Sequence, residues 1–574
     1  MNRVRSLYFL AIFLLLLSGM RAEASNWLFK NGNSNYQIVL ANNASPSEKK
    51  AAQEMQDYLY QISGVRLPIA TVFDEKGRNI VIGYMPKVAE LTGQPQPKTD
   101  DESFTYRVVG RNLYIWGGQQ RGTMYGVFTF LERELGVHWL TPDCTVIPHY
   151  KKWRLKKLNH SEAPALKYRY NNYFVTAGRP AWSAHVKENM RGVFSEQYGS
   201  QEDYWGCHTM GILVPTSEFY KSHPEYFCLR NGKRLSSDEQ LCLTNPEVLE
   251  LCKTRISKIM RERPQCRIYC LSQNDNYNFC QCKNCIAIEE QYGGHSGLIL
   301  WFVNQVADAV KEEFPDKYIG TFAYQYSRKP PVGIVPRDNV VIRLCSSGCC
   351  FAHAIEDCCP RNESFMKDLR GWAAIAPNLF IWDYIVDYAQ YLAPWPNFQV
   401  LAPNIRTFID NKAIGVFEEA HFSSRGGEFE EMKSWLVNQL LWNPNQNTDA
   451  LVEIFITGYY GKAASRILDY YYLCQKQVKP DVHFDIFIRE DHELYTDEFI
   501  KQALAILDEA LRMAEDDAII QRVKRVRMQP LYLHCMRHKE QSRKDGSWEE
   551  LSALMRKYDA NPGGGRKLDT FFAQ

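Results

Sequence analysis

The sequence predicts a (β/α)8, TIM-like barrel, preceded by a small α/β domain and followed by a helical C-terminal domain. Three observations predict it. Between residues 160 and 445, short apolar strand candidates alternate with longer amphipathic stretches, which is the rhythm of a parallel sheet with crossover helices. That span, roughly 280 residues, suits a barrel better than an open doubly wound sheet, which stays as the alternative. From residue 446 onward the apolar residues recur at helical spacing.

The chain opens with a positive segment at Arg3 and Arg5, an apolar run from Tyr8 to Leu17, and the small-x-small pattern Ala22-Glu23-Ala24. Residues 1–24 therefore read as a cleaved secretory leader. The run is short of the roughly 20 apolar residues a membrane span needs. No later stretch is apolar for long enough, so a mature chain without a membrane anchor is expected, in the periplasm or secreted.

Residues 25–150 form the first domain. Tyr36–Leu40 reads as a strand. Ser45-Pro46-Ser47-Glu48 then carries the N-cap, the first-turn proline and the acidic partner of a capping box. Ala51, Met55, Leu59 and Ile62 follow at helical spacing, and Gly64 ends the helix. Asn79–Gly83 reads as a second strand. Tyr106–Val109 and Leu113–Trp116 pair across Gly110-Arg111-Asn112, and Gly122–Leu135 is a helix. Few titratable clusters occur here, so this domain reads as a platform.

In the barrel region the strands are expected at Lys167–Phe174, Arg267–Leu271, Tyr318–Tyr324, Val340–Leu344, Leu379–Trp382 and Ala413–Phe417, with helices at Phe302–Phe314 and Met432–Trp442. Residues 446–574 hold helices at Ala450–Tyr459, Ala463–Val478, Asp497–Glu515 and Ala518–Tyr532, with a flexible tail at Gly563-Gly564-Gly565.

The net charge of +2 and the absence of a basic tract argue against a nucleic-acid partner. No glycine-rich phosphate loop follows any strand, which weakens a nucleotide-binding reading. Aromatics make up 13% of the chain. Their faces suit the apolar edges of sugar rings, although large cores use aromatics too.

Barrel active sites form just past the C-terminal strand ends. Four expected strands end in polar residues: Ser272-Gln273-Asn274-Asp275-Asn276, Tyr324-Gln325-Tyr326, Asp383-Tyr384, and Glu418-Glu419 with His421 behind. Two carboxyl groups with amides and aromatic hydroxyls are what glycosidic cleavage needs, one as acid and the other as base or nucleophile. Asp275 and Glu419 are the expected pair, with Asp383 positioning sugar or water. Arg169, His208, Asn274, Tyr324, Trp382, Tyr384 and Glu418 are the expected substrate contacts. Asp275 equally fits an Asx-turn or a helix cap, and Asp383 a strand-end acceptor. His208 fits either a hydroxyl partner or a satisfied core histidine. Strand alternation lets only one of Glu418 and Glu419 enter the mouth.

The chain has 17 cysteines. Cys280, Cys282 and Cys285 stand at C-x-C-x2-C spacing, tight enough to hold one structural Zn²⁺ with a fourth ligand from elsewhere. An exported protein favours disulfides instead, with Cys349, Cys350, Cys358 and Cys359 as further partners. Either link would brace the loop carrying Asp275, and no cofactor is required for the chemistry.

Several segments together resemble the bacterial domain of unknown function 4838. They are Pro164–Arg169, Gly206–Thr209, His223–Phe227, Gln240–Pro246, Ser272–Asp275 with the three cysteines, Trp382–Tyr384, Gly415–Glu419 and Leu441–Pro444. Residues Arg121–Gly126, Leu135–Trp139 and Pro142 make the first domain similar to the N-terminal domain of α-glucuronidases and β-hexosaminidases. The resemblance implies a glycosidase-like barrel acting on a polysaccharide or glycan, including a uronic-acid substrate, and a carbohydrate partner. A non-catalytic glycan binder on the same scaffold is the alternative. β-Hexosaminidases place an adjacent Asp-Glu pair after a barrel strand, and this sequence has no convincing equivalent.

Overall fold

The computed structural model describes residues 26–190, 195–200, 203–237, 240–357, 359–563 and 568–572. The expected leader, Cys358, and Gly564 and Gly565 of the expected tail lie outside the described residues. Contacts divide the chain into two compact units: Met1–His138 with Val146–Ala163 and Glu196–Gly199, and Trp139–Thr145 with Pro164–Ser195 and Ser200–Gln574.

The first unit is built on a six-stranded mixed sheet. Its strands run in the order Asn159–Glu162, Phe104–Val109, Asn112–Gly117, Arg78–Ile82, Tyr36–Leu40, Ile69–Ala70. The expected capping box is formed: the Ser45 hydroxyl accepts from the Glu48 amide at 3.2 Å, and Glu48 accepts from the Ser45 amide at 2.9 Å. The helix they start, Pro46–Ser63, ends at Gly64 in the left-handed conformation. Ala51, Met55, Leu59 and Ile62 are buried along one stripe.

The second unit holds seven parallel strands in the order Tyr168–Asn171, Ala413–Glu419, Leu379–Tyr384, Val340–Cys345, Tyr318–Ala323, Cys266–Cys270, Asp203–Trp205. All six neighbouring pairs are parallel. The expected eight-stranded closed barrel is thus replaced, among the described residues, by seven strands whose edges, Tyr168–Asn171 and Asp203–Trp205, are not paired. The three-residue Asp203–Trp205 strand is too short to leave a periodic signal in the sequence.

The sheet is nevertheless strongly curled. In a flat sheet five spacings of about 4.8 Å would separate the Asp203–Trp205 strand from Ala413–Glu419. Yet the Arg343 guanidinium lies 4.3 Å from the Tyr204 ring centre on one and 4.9 Å from Phe417 on the other. Inward-facing Tyr168, Tyr170, Tyr204, Ile268, Phe322, Val341, Phe380 and Phe417 form one cluster inside the curl. These side chains and the Arg343 guanidinium fill the interior, and the carboxylates of the inner face collect at the strand ends. Helices His295–Lys311 and Phe398–Asp410 run between the strands, Glu430–Trp442 follows the last one, and the unit also holds Thr448–Tyr460, Ala464–Gln475, Asp497–Met513 and Asp517–Arg537.

Candidate active site

The alternation of the last strands decides which carboxylates face the interior. On Leu379–Tyr384 and Ala413–Glu419, Phe380, Trp382, Phe417 and Glu419 share the inner face. Asp383 and Glu418 are register partners on the other face. Glu419 is half-buried, and its carboxylate accepts the Trp382 indole hydrogen at 2.6 Å. The Tyr388 hydroxyl also bonds to it. Burial raises the Glu419 pKa, the Tyr388 and Trp382 bonds and the Arg343 charge hold it back, and the Asp275 charge pushes it further up.

Asp275 lies at the same end of the curled sheet. It is exposed, five residues past the Cys266–Cys270 strand. Its carboxylate accepts from the Tyr324 hydroxyl at 3.1 Å and the Gln325 amide at 3.3 Å. Among the described residues it closes no Asx-turn, and Cys282 rather than Asp275 caps the next helix. Gln325 holds a left-handed φ of 49°, and its amide also reaches the Tyr324 hydroxyl at 3.0 Å. A non-glycine residue held there stores strain that the surrounding contacts must offset. His208 likewise has φ 52°. Its Nδ1 donates to the Gln273 carbonyl at 2.7 Å, so in the neutral ring Nε2 is the acceptor. The ring sits 6.1 Å from Tyr324 and 5.2 Å from Phe322. Tyr384 faces the same space, where Glu419, Tyr388 and Tyr324 add to the burial that raises its pKa.

Four expected site residues are placed elsewhere. Arg169 is 1% exposed and its guanidinium donates to the carbonyls of Lys187 at 2.8 Å and Leu166 at 2.7 Å while stacking on Trp442. It locks the start of its strand, far from the strand ends. Asp383 points behind the sheet, where the Ser346 hydroxyl bonds it, and burial raises its pKa to about 6. Glu418 lies beside it, 1% exposed, with its pKa pushed well up by burial and by the Asp383 charge. The strand runs to Tyr384 rather than stopping at Trp382, and that extension turns Asp383 outward. Asn274 serves the loop: its amide oxygen accepts from the Gly211 amide at 3.0 Å. His421 is a core residue stacked on Tyr391, and burial lowers its pKa to about 3.

Two residues of the site escaped the sequence reading, and a third, Gln325, was marked only as part of the polar strand end Tyr324-Gln325-Tyr326. Tyr388 lies just beyond a strand end and had no motif to mark it. Arg343 stands on the inner face of Val340–Cys345 within 5.0 Å of four aromatic ring centres, and its Nε has no hydrogen-bond partner among the described residues. Its place in the i, i+2 series Val341, Arg343, Cys345 was the available signal.

The profile described as Domain of unknown function (DUF4838) matches residues 139–472. The chain belongs to this family. The match spans every strand of the curled sheet and all the site residues of the DUF4838 region named above. A second profile, Glycosyl hydrolase family 67 N-terminus, matches residues 26–130. "Probable alpha-glucuronidase A" of Neosartorya fischeri is 30% identical over 97 residues, 16% of this chain and 12% of that protein. The chain thus matches a small part of that relative's length. The fold is similar to a family GH115 4-O-methyl-α-glucuronidase with specificity for decorated arabinogalactans (TM-score 0.57, 13% identity, 92% of this chain and 77% of that one). It is also similar to CpGH84D (TM-score 0.50, 10% identity, 96% and 98% coverage). At these identities the likeness is one of fold, an α/β fold shared with glycosidases.

The DUF4838 region also contains the cysteine cluster. Cys280, Cys282, Cys285, Cys349, Cys350 and Cys359 carry free thiols, so the disulfide expectation is not met among these six. Cys280, Cys282 and Cys285 converge with Cys242, which had not been foreseen, on one point. The Cys242 sulfur is 3.6 Å from that of Cys282 and 3.9 Å from that of Cys285. A tetrahedron with Zn–S bonds of about 2.3 Å has edges of about 3.8 Å. Two residues from Cys242, the Gln240 amide holds the Asn274 and Asn276 carbonyls at 2.8 and 3.1 Å. The cluster and this clamp grip the Asp275 loop from both sides. Among the described residues no helix is long and apolar enough to cross a membrane.

Proposed function

We propose that this protein is an exported glycoside hydrolase that cleaves an O-glycosidic bond in a complex glycan carrying uronic acid. The observation that carries this is the meeting of Asp275 and Glu419 at one end of the curled sheet, with Tyr324, Gln325, Trp382 and Tyr388 holding the two carboxyl groups. Glu419 is the general acid. Its burial keeps a proton on it at higher pH than an exposed glutamate, and that proton goes to the leaving glycosidic oxygen. Asp275, open to solvent and fixed by two donors, is the base or nucleophile, and the anomer of the first product tells inversion from retention. The GH67-type N-terminal match and the glucuronidase names of the relatives support the uronic-acid reading. Cys242, Cys280, Cys282 and Cys285 hold a structural Zn²⁺ that braces the Asp275 loop and takes no part in the reaction.

The purified protein would be screened against a panel of acidic and neutral glycans, following reducing ends and the product anomer. Release of a uronic acid, lost in both Asp275→Asn and Glu419→Gln, is the expected outcome. Sugar binding without hydrolysis, surviving both substitutions, would make the protein a glycan binder instead.

A further inference from the structure

Outside the candidate active site, the loop after Val340–Cys345 and a segment of the C-terminal region converge on a second group of ligating atoms. Cys350, His353 and Cys359 lie on the loop, and His483 comes from a segment more than a hundred residues later. One sulfur or ring nitrogen from each falls within 4.8 Å of all the others. The Cys350 sulfur is 3.5 Å from Nδ1 of His353 and 3.4 Å from Nδ1 of His483. The Cys359 sulfur is 3.6 Å from the same His483 nitrogen.

We infer that Cys350, His353, Cys359 and His483 form a Cys2His2 site for a structural Zn²⁺. Zn–S and Zn–N bonds of about 2.3 and 2.05 Å at tetrahedral angles give sulfur–nitrogen edges of about 3.6 Å. All three measured separations sit within 0.2 Å of that edge. Thiols left to hydrogen-bond imidazoles have no reason to gather both rings on the same sulfur at this spacing. Two thiolates and two neutral imidazoles also suit zinc by ligand softness. With four protein ligands the site is closed, which marks it as structural.

The surroundings are built to hold these ligands still. Asn362 accepts from the Cys350 amide at 2.7 Å and donates to the Cys350 and His353 carbonyls at 3.1 and 3.3 Å. The Phe351 amide donates to the Phe484 carbonyl at 2.9 Å, fixing the residues beside the ligands to each other across the two segments. Such backing of first-contact ligands is usual at metal sites. The ion would therefore staple the Pro480–Arg489 segment to the sheet. Two residues beyond Phe484, the Ile486 carbonyl holds the Tyr388 amide at 2.8 Å. The metal assignment does not depend on the glycosidase reading.

The full chain, purified without chelators, would be assayed by elemental analysis and by zinc K-edge X-ray absorption. We expect about two zinc ions per chain, one for each cluster, and a sulfur-rich shell that includes nitrogen. The His353→Ala/His483→Ala chain should lose about half the zinc and keep a sulfur-only shell. The Cys242→Ser/Cys285→Ser chain should also lose about half, but its remaining shell should hold sulfur and nitrogen equally. About one zinc per parent chain with a mixed shell would support this site and remove the four-cysteine one. A parent shell of sulfur alone overturns the inference, even if the variants fail to fold. So does unchanged zinc in the histidine variant, a metal-free parent that takes up no added Zn²⁺, or recovery of Cys350 and Cys359 as a disulfide.

Discussion

Two pairs of carboxylates are carried by neighbouring parts of the curled sheet, with Glu418 and Glu419 adjacent in sequence, and occupy different environments. Asp275 and Glu419 share the inner end of the curled sheet with Tyr324, Trp382 and Tyr388. Asp383 and Glu418 share the outer face of the same strands, both buried, with the Ser346 hydroxyl bonded to Asp383. Both Glu418 and Asp383 are more buried than Glu419, and both have raised pKa values. A raised pKa therefore does not mark the reacting group here. What separates the pairs is the direction each side chain takes from a strand with period two. The inner pair meets solvent and aromatic hydroxyls, whereas the outer pair is buried beside Ser346, Cys349 and Tyr173.

The largest effect is expected at the inner pair. Glu419→Gln should lower kcat on a glycoside with a poor leaving group by about 10²–10⁴-fold. An activated aryl glycoside, which needs no proton, should lose far less, and equal losses on both substrates would remove Glu419 from the acid role. Asp383→Asn should leave kcat nearly unchanged and act on stability instead. The folded pKa of about 6 lies above the reference 3.8, so Asp383 is neutral in both states at low pH. It penalises the folded state as pH rises from about 4 through 6. The span is on the order of 3 kcal/mol at full ionisation. Urea denaturation at pH 5 and pH 8 should show that the variant lacks part of this loss. An identical pH dependence in parent and variant would place Asp383 outside the buried pair.

Arg343→Met should move the alkaline limb of the kcat/KM profile upward, because the lost charge had lowered the Glu419 pKa. A downward or absent shift would show that Arg343 does not act on Glu419. The smallest change is Tyr388→Phe, which removes one hydrogen bond to Glu419. It should cost about 1 kcal/mol in kcat/KM, roughly fivefold, and leave the fold intact. A loss as large as that of Glu419→Gln would make Tyr388 part of the proton transfer itself.

Much of this fold was legible in the residues alone, for local reasons. The box at Ser45 and Glu48, the stop at Gly64 and the helix Gly122–Leu135 depend on neighbours within four residues, and the structure forms them as expected. Six of the seven strands in the curled sheet were visible as apolar runs, and Asp275 and Glu419 were visible as polar residues just beyond two of them. Two causes account for the misplaced residues. Asp383 and Arg169 have site-like chemistry, but two residues of extra strand length, or a position at the wrong end of a strand, send the side chain elsewhere.

What only the tertiary structure decided were the meetings of distant segments. Cys242 joins Cys280, Cys282 and Cys285 because the Gln240 clamp folds its segment onto the Asp275 loop. His483 reaches Cys350 because the C-terminal region returns to the sheet. Arg343 touches rings on both Asp203–Trp205 and Ala413–Glu419 because the sheet curls. By itself the sequence determined the local periods, caps and the polar character of the strand ends, since these are set by backbone sterics and nearest neighbours. Side-chain partners brought together by chain closure carry no period or spacing, so they became visible only once the strands were in place.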